Sequence, residues 1–378
     1  MLFRSDKITA FIVTRDMVGF SSGPEEKKMG LVGSSTTSLH FENVKVPVDN
    51  VLGNPGEGFK VAVSVLNNGR LGLAGACAIG SRAMIKLALD HAQQRKQFGK
   101  SLVEFGLIQQ KIANMTIDAY AAESMVRVAA HLMDSGEQDY SLETAMCKVF
   151  ATEMEWRTIN EALQISGGNG YMKEYPYEKV LRDSRIFMIW EGTNEILRLF
   201  IGLSGLQAPG ENLKVLANVI KQPLNDVMHS IGVLSEFGVR WVQRRVSTRE
   251  HLAGVHPDFS KEAATFEKYT ALFAAEVETA LLRHGKKIVE NEFAVRRLAD
   301  ISMDLYAMAC VISRASLERE QKRETLPSSQ IARAFVRKAR RRVAENIRRM
   351  AKNDDELEAG IVNKIVQKGD FPSSPVFL

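Results

Sequence analysis

The sequence predicts a mainly α protein with a partial β-domain at 1–57, a four-helix bundle at 58–206 and a second helical domain at 259–378. A linker at 207–258 joins the two helical parts. Three observations predict this. Hydrophobic residues are 45% of the 378 but aromatics only 7%, so the apolar content is aliphatic and leans helical. β-Branched and alternating runs lie in the first 55 or so residues. From Gly58 onward, apolar positions recur at helical spacing.

In the first part, Ile8-Thr9-Ala10-Phe11-Ile12-Val13 reads as a strand. Ser38-Leu39-His40-Phe41 and Val44-Lys45-Val46 alternate polar and apolar residues. Ser22-Gly23-Pro24, Gly33-Ser34, Pro47 and Leu52-Gly53-Asn54-Pro55-Gly56 are turn signals between them. Three or four short strands are too few to close a sheet alone.

The bundle opens with a glycine-tolerant helix from Gly58 to Ala92. A second helix spans about 103–134 and a third about 141–166. A fourth starts near Thr193, a side chain suited to an N-cap, with Glu195 in the first turn. Short connections predict antiparallel packing. Pro209, Gly210 and Pro223 break the pattern of the linker. There, Leu234, Phe237, Val239 and Trp241 beside Arg240, Arg244 and Arg245 suggest amphipathic membrane contact over 213–245. Ser260 N-caps the next helix, whose apolar positions include Phe266, Phe273, Val277 and Leu281. Helices at about 291–317 and 328–350 follow. The last is strongly basic, with an apolar stripe of Val336, Ala339, Val343, Ile347 and Met350. Its cations read either as a solvated face or as a salt-sensitive supplement to membrane attachment. The tail at 371–375 reads as loose.

No apolar run reaches the ~18 residues of a membrane-spanning helix. Net charge is +5, with 50 basic and 45 acidic residues well mixed, which does not point to nucleic acid. Cys77, Cys147 and Cys310 form no disulfide framework and read as buried thiols in a reducing compartment. The histidines show no metal-ligand spacing. The N-terminal residues resemble neither a signal peptide nor a transit peptide.

Three stretches carry candidate chemistry. In Trp190-Glu191-Gly192-Thr193-Asn194-Glu195, a carboxylate sits between an aromatic and a glycine, just before a helix. Trp190 can desolvate Glu191 and raise its pKa toward a base's range, and Gly192 permits close approach. An ordinary loop glutamate is the alternative. Arg95-Lys96-Gln97-Phe98-Gly99 closes a helix, with Gly99 as a C-cap or Arg95 as a phosphate ligand. Gln164-Ile165-Ser166-Gly167-Gly168 is either a C-cap with a turn or backbone open to a pyrophosphate.

Taken in order, these stretches resemble the acyl-CoA dehydrogenase family. So do Lys28-Met29-Gly30, Phe41-Glu42-Asn43-Val44, Leu66-Asn67-Asn68-Gly69-Arg70, Tyr175-Pro176-Tyr177-Glu178 and Leu181-Arg182-Asp183. The likeness is dense over 6–206. It continues through Val255-His256-Pro257, Val277–Arg283 and Ser313–Ser316 as the extended very-long-chain branch. The resemblance implies FAD as cofactor, long-chain acyl-CoA as substrate and electron-transfer flavoprotein as electron acceptor. It also implies a homodimer on the matrix side of the mitochondrial inner membrane. Glu191 would be the catalytic base. Arg95, Gln97 and Phe98 would reach the FAD of the neighbouring subunit. Gln164, Gly167, Gly168, Thr193, Asn194 and Glu195 would also contact FAD. Asn67, Arg70, Trp190 and Gly192 would line the acyl-CoA site. The family's N-terminal helical domain and the first half of its β-domain have no counterpart here, so the chain as written is expected to hold FAD weakly. A rival implication is a scaffold role in assembling respiratory complex I.

Overall fold

The computed structural model describes residues 7–137, 139–206, 251–322 and 327–369. The proposed membrane segment 213–245 and the tail 371–375 lie outside the described residues. Two compact units are present. Among the described residues, one comprises those within 7–197, 254–259, 306–322 and 327–335, the other 198–206, 251–253, 260–305 and 336–369. The sequence blocks 58–206 and 259–378 are therefore not each confined to one unit.

In the first unit, the N-terminal strands pair as two-stranded antiparallel ribbons. β1 (Ala10–Phe11) pairs with β4 (Val51–Leu52), and β2 (Phe20–Glu25) with β3 (Thr37–Phe41). Two expectations are corrected here. Ser22-Gly23-Pro24 is not a turn but the middle of β2, where the register shifts between Ser22 and Glu25. A two-stranded ribbon leaves one edge unpaired, so a proline without an N–H is tolerated at the bulge. Val44-Lys45-Val46 forms no strand. The 28–36 segment docks on α4 (Tyr177–Ser184). The Leu31 N–H donates to Asp183 Oδ1 at 2.6 Å, and Arg182 Nη1 donates to the Met29 carbonyl at 3.0 Å. A Cβ on Gly30 would meet the Arg182 carbonyl at 2.5 Å, so only glycine allows this approach.

Three long helices form the body of this unit: α1 (Gly58–Gln94), α2 (Gly106–Asp134) and α3 (Ser141–Ser166). α1 is long and apolar enough by length and composition to cross a membrane. Here its apolar face packs against the other two helices. Met84, Ala88 and Ala92 of α1 meet Met115 of α2 and Ile159, Ala162 and Ile165 of α3. The C-terminal ends of α1 and α3 therefore lie at the same end of the bundle, beside the start of α2. Small residues along α1 and α3 let the backbones approach, and tight packing of this kind stabilises by ~25 cal/mol per Å² of apolar surface buried. A further helix, α5, runs over 194–206, with Thr193 Oγ accepting the Ile196 N–H at 3.3 Å as its cap. Residues 306–320 of α7 (Glu292–Glu320) also join this unit. Tyr120 Oη donates to Glu318 at 3.1 Å, and Arg314 pairs with Glu123 at 3.3 Å. Phe150 and Phe335 pack edge to face.

The second unit holds 198–206 of α5, then α6 (Ser260–His284), residues 292–305 of α7, residues 336–351 of α8 (Ser328–Ala351) and α9 (Asp355–Lys368). Its core is Leu206, Val277, Ala280, Ile288, Ala294, Leu298 and Met350. The apolar stripe of the basic helix is buried at Val336, Ala339, Val343 and Met350. Several of its cations are paired, as Arg342 is with Asp304 and Arg348 with Glu345.

Candidate functional site

One end of the three-helix body gathers most of the predicted substrate-side residues. Glu191 takes a left-handed backbone, φ 58°, and Gly192 follows at φ 93°. For a non-glycine residue this is a sparsely populated conformation that surrounding contacts must hold. The Glu191 carboxylate lies over α1 at Gly69, where a Cβ would come within 2.9 Å of Oε2. The glycine tolerance read in the sequence of this helix thus has a local cause. Arg70 Nε donates to the Glu191 carbonyl at 3.0 Å, and its Nη1 donates to Asn67 Oδ1 at 3.0 Å. Burial pulls the Arg70 pKa down, and the neighbouring Glu191 charge opposes that. Trp190 stacks on Phe187, with ring centroids 5.4 Å apart.

Sequence reasoning missed Lys148. Its side chain is fully buried on α3, and Nζ donates to the Gly192 carbonyl at 2.9 Å and to Asn194 Oδ1 at 2.8 Å. The available signal was a lone cation within the run Thr144–Val149, every residue of which is buried. Asn194 also needs correction. Its side chain is buried and spent on Lys148, Thr152 and Glu153, so it is not open to a ligand. Glu195 is exposed.

The remaining predicted residues lie at the other end. α1 closes at Gln94, and Arg95 leaves in an extended conformation. Gly99 is therefore not a helix C-cap. Lys96–Gln97 and Lys100–Ser101 form a hairpin, with Phe98 (φ 50°) and Gly99 (φ 79°) as its two turn residues. Positive φ at both positions is the type I′ pattern, which matches strand twist. Phe98 is 92% exposed, and Arg95 and Gln97 are exposed with it. Gly167 caps α3 at φ 57°, one of the two readings of this turn, and Gln164 and Gly168 are also exposed. Helix rise puts about 37 Å between Arg70 and Arg95 along α1, and about 24 Å between Lys148 and Gln164 along α3. Within one chain, the hairpin and the Gly167 turn share an end that is remote from Glu191.

Comparison with known proteins gives consistent matches. Residues 56–206 match the family described as "Acyl-CoA dehydrogenase, C-terminal domain", and 257–370 match "ACAD9/ACADV, C-terminal domain". The very long-chain specific acyl-CoA dehydrogenase of Rattus norvegicus mitochondria is 42% identical over 360 residues, covering 93% of this chain and 54% of that protein. Its Homo sapiens counterpart is 45% identical over 314 residues, covering 82% of this chain and 47% of that protein. The chain therefore spans about half the length of the curated relatives it matches. A crystal structure of an acyl-CoA dehydrogenase complexed with FAD from Bacillus anthracis superposes with a TM-score of 0.76 at 27% identity, covering 97% of this chain and 62% of that one.

Proposed function

We propose that this chain, which belongs to the acyl-CoA dehydrogenase family through both of its matched C-terminal domains, supplies the base for FAD-dependent α,β-dehydrogenation of long-chain acyl-CoA. The observation that carries this reading is the setting of Glu191. Its backbone is held at a positive φ, its carboxylate rests over Gly69, and Arg70 binds its carbonyl rather than its carboxylate. A base that takes a proton from carbon needs fixed lone pairs that no strong donor saturates.

The residues present fit FAD. The turns assigned to it expose backbone that none of the described residues covers: a Cβ at Gly99, Gly167 or Gly168 would find none of their atoms within 4 Å. Arg95 adds an exposed cation for a phosphate. FAD, when bound, supplies an acceptor for the β-hydride. The chain's own part is to hold Glu191 at the substrate α-carbon and to take the α-proton onto its carboxylate. The Glu191 N–H donates to the thioester carbonyl, which lowers the cost of negative charge at the α-carbon. Asn67, Arg70, Trp190 and Gly192 line the acyl-CoA side. Thr193, the Asn194 backbone and Glu195 would contact FAD beside Glu191, while Gln164, Gly167 and Gly168, at the same end as the hairpin, would join Arg95, Gln97 and Phe98 in reaching the FAD of a second copy. The 37 Å separation along α1 supports that last assignment, since no single chain can bring both sets to one cofactor.

In this reading the product is a trans-2-enoyl-CoA, formed in mitochondrial fatty-acid β-oxidation on the matrix side of the inner membrane. Electron-transfer flavoprotein would be the partner that accepts the electrons, and the protein is a homodimer. The match to the domain described as "ACAD9/ACADV, C-terminal domain" supports a place in the extended branch, which acyl-CoA dehydrogenase family member nine shares with the very long-chain enzymes.

The test is Glu191→Gln in the whole protein containing this chain. Flavin content and thermal midpoint should stay near the parent's. Turnover should fall by at least the ~10²–10⁴-fold that loss of a general base costs. Turnover near the parent's in the flavin-loaded variant overturns the assignment.

A further inference from the structure

We propose that Lys148 is a positioning residue for proton abstraction, its ammonium fixing the loop on which Glu191 sits. The inference rests on the reading of Glu191 as the base and extends it to a residue on a different helix. Gly192 is the loosest backbone position in the loop, because glycine visits positive and negative φ with similar ease. Both peptide planes that flank it are nevertheless held. The Glu191 carbonyl accepts from Arg70 Nε at 3.0 Å, and the Gly192 carbonyl accepts from Lys148 Nζ at 2.9 Å. The same ammonium donates to Asn194 Oδ1 at 2.8 Å, across Thr193, and so ties the loop to the start of α5. Two cations on two helices, Lys148 fully buried and Arg70 half-buried, thus grip consecutive carbonyls immediately around the carboxylate.

The placement is costly unless geometry is its purpose. Lys148 is fully buried, and its two acceptors are uncharged oxygens. A methionine would fill much the same volume without the desolvation cost of an ammonium. Ammonium-to-carbonyl hydrogen bonds are charge-assisted and more directional than packing alone. Small displacements of a base from its proton lower rates steeply.

The setting also gives the residue a titration signature. Burial pulls its pKa down to about 8. Arg70 on α1 pushes in the same direction, while Cys77 on α1, Glu191 in the loop and Glu153 on its own helix oppose it.

The experiment uses the flavin-loaded whole protein and a long-chain acyl-CoA. Lys148→Met should lower kcat about 100-fold, as a misplaced reacting group does, with KM and flavin content near the parent's. In Lys148→Ala, added ethylammonium should restore kcat saturably, whereas ethanol should not. It should restore nothing in Glu191→Gln. In the unmodified protein, kcat should decline as pH rises through about 8, the range set for the Lys148 ammonium. That decline needs no variant to fold. A folded Lys148→Met with parental kcat overturns the proposal, as does Lys148→Ala that ignores ethylammonium, or a kcat in the unmodified protein that is flat across that range. Parental turnover in Glu191→Gln would instead sink the base assignment itself, so the two failures are separable.

Discussion

Glu155 is the second carboxylate admitted by a glycine of α1. Its Oε1 lies where a Cβ on Gly80 would be 2.6 Å away, and its Oε2 is buried without a hydrogen-bond partner. Burial pushes its pKa up to about 7 from 4.5, and the Cys77 thiol beside it is pushed up in turn by burial and by Glu155. The folded chain therefore holds a proton that the unfolded chain releases. Stability from this group is full below pH 4.5, falls as pH rises toward about 7 and stays reduced above that. Glu155→Gln should raise the thermal midpoint at pH 8 and change it little near pH 4.5, the gain at pH 8 being at most about 3 kcal/mol. Calorimetry at the two pH values checks this, and an equal shift at both would refute it. Glu191 was legible in the sequence because its neighbours form a motif. Lys148 and Glu155 were not, because a lone charge in an apolar helical run carries no label for what it faces. Only the fold shows that one meets loop carbonyls and the other a glycine gap.

Among the elements, the long helices were legible within a few residues, since their apolar period extends over many turns. The short ones were not. The hairpin after α1 was hidden because Arg95–Gly99 has the composition of a helix end, and Phe98 gives no sign that it adopts positive φ. β2 was hidden because Gly23-Pro24 signals a turn in isolation, and only pairing with β3 makes it a bulged strand. α9 has Leu357, Ile361, Val362 and Val366 exposed, so it lacks the half-buried pattern that marks a helix on a core. Its attachment is ionic. Arg297, only 6% exposed, grips Asp355 at the first turn of α9 through both carboxylate oxygens, one at 2.7 Å. That hydrogen bonding holds the Asp355 carboxyl below its ordinary range. Its contribution is therefore present above the usual carboxylate pKa and is lost as pH falls through the lowered one. Asp355→Ala should cost about 3–5 kcal/mol by leaving a buried cation alone, and should abolish amide-exchange protection in α9 first. Uniform loss of protection across the second unit would contradict this local role.

At the scale of the whole molecule, the two sets of predicted site residues occupy opposite ends of the helical body. The sequence order alone could not reveal this, because periodicity fixes helices but not which ends coincide. Nor could it show that residues 306–322 and 327–335 belong with the first compact unit. If each cofactor site draws Glu191 from one copy and Arg95 from another, two inactive variants should complement. Co-expressed Arg95→Ala and Glu191→Gln chains, mixing at random, should recover about a quarter of parental turnover, since a two-fold dimer pairs one intact site with one doubly damaged site. Recovery at the level of the single variants would place both residues at one site of one chain. The most direct measurement isolates proton removal from redox chemistry. A 3-thia-acyl-CoA has sulfur in place of the β-carbon and so offers no β-hydride, yet its α-hydrogens can still be abstracted. Incubated in D2O with the flavin-loaded whole protein, it should exchange its α-hydrogens rapidly, as read by mass spectrometry. With Glu191→Gln it should bind and exchange no faster than in buffer. Exchange in that variant at the parental rate would show that another group removes the proton.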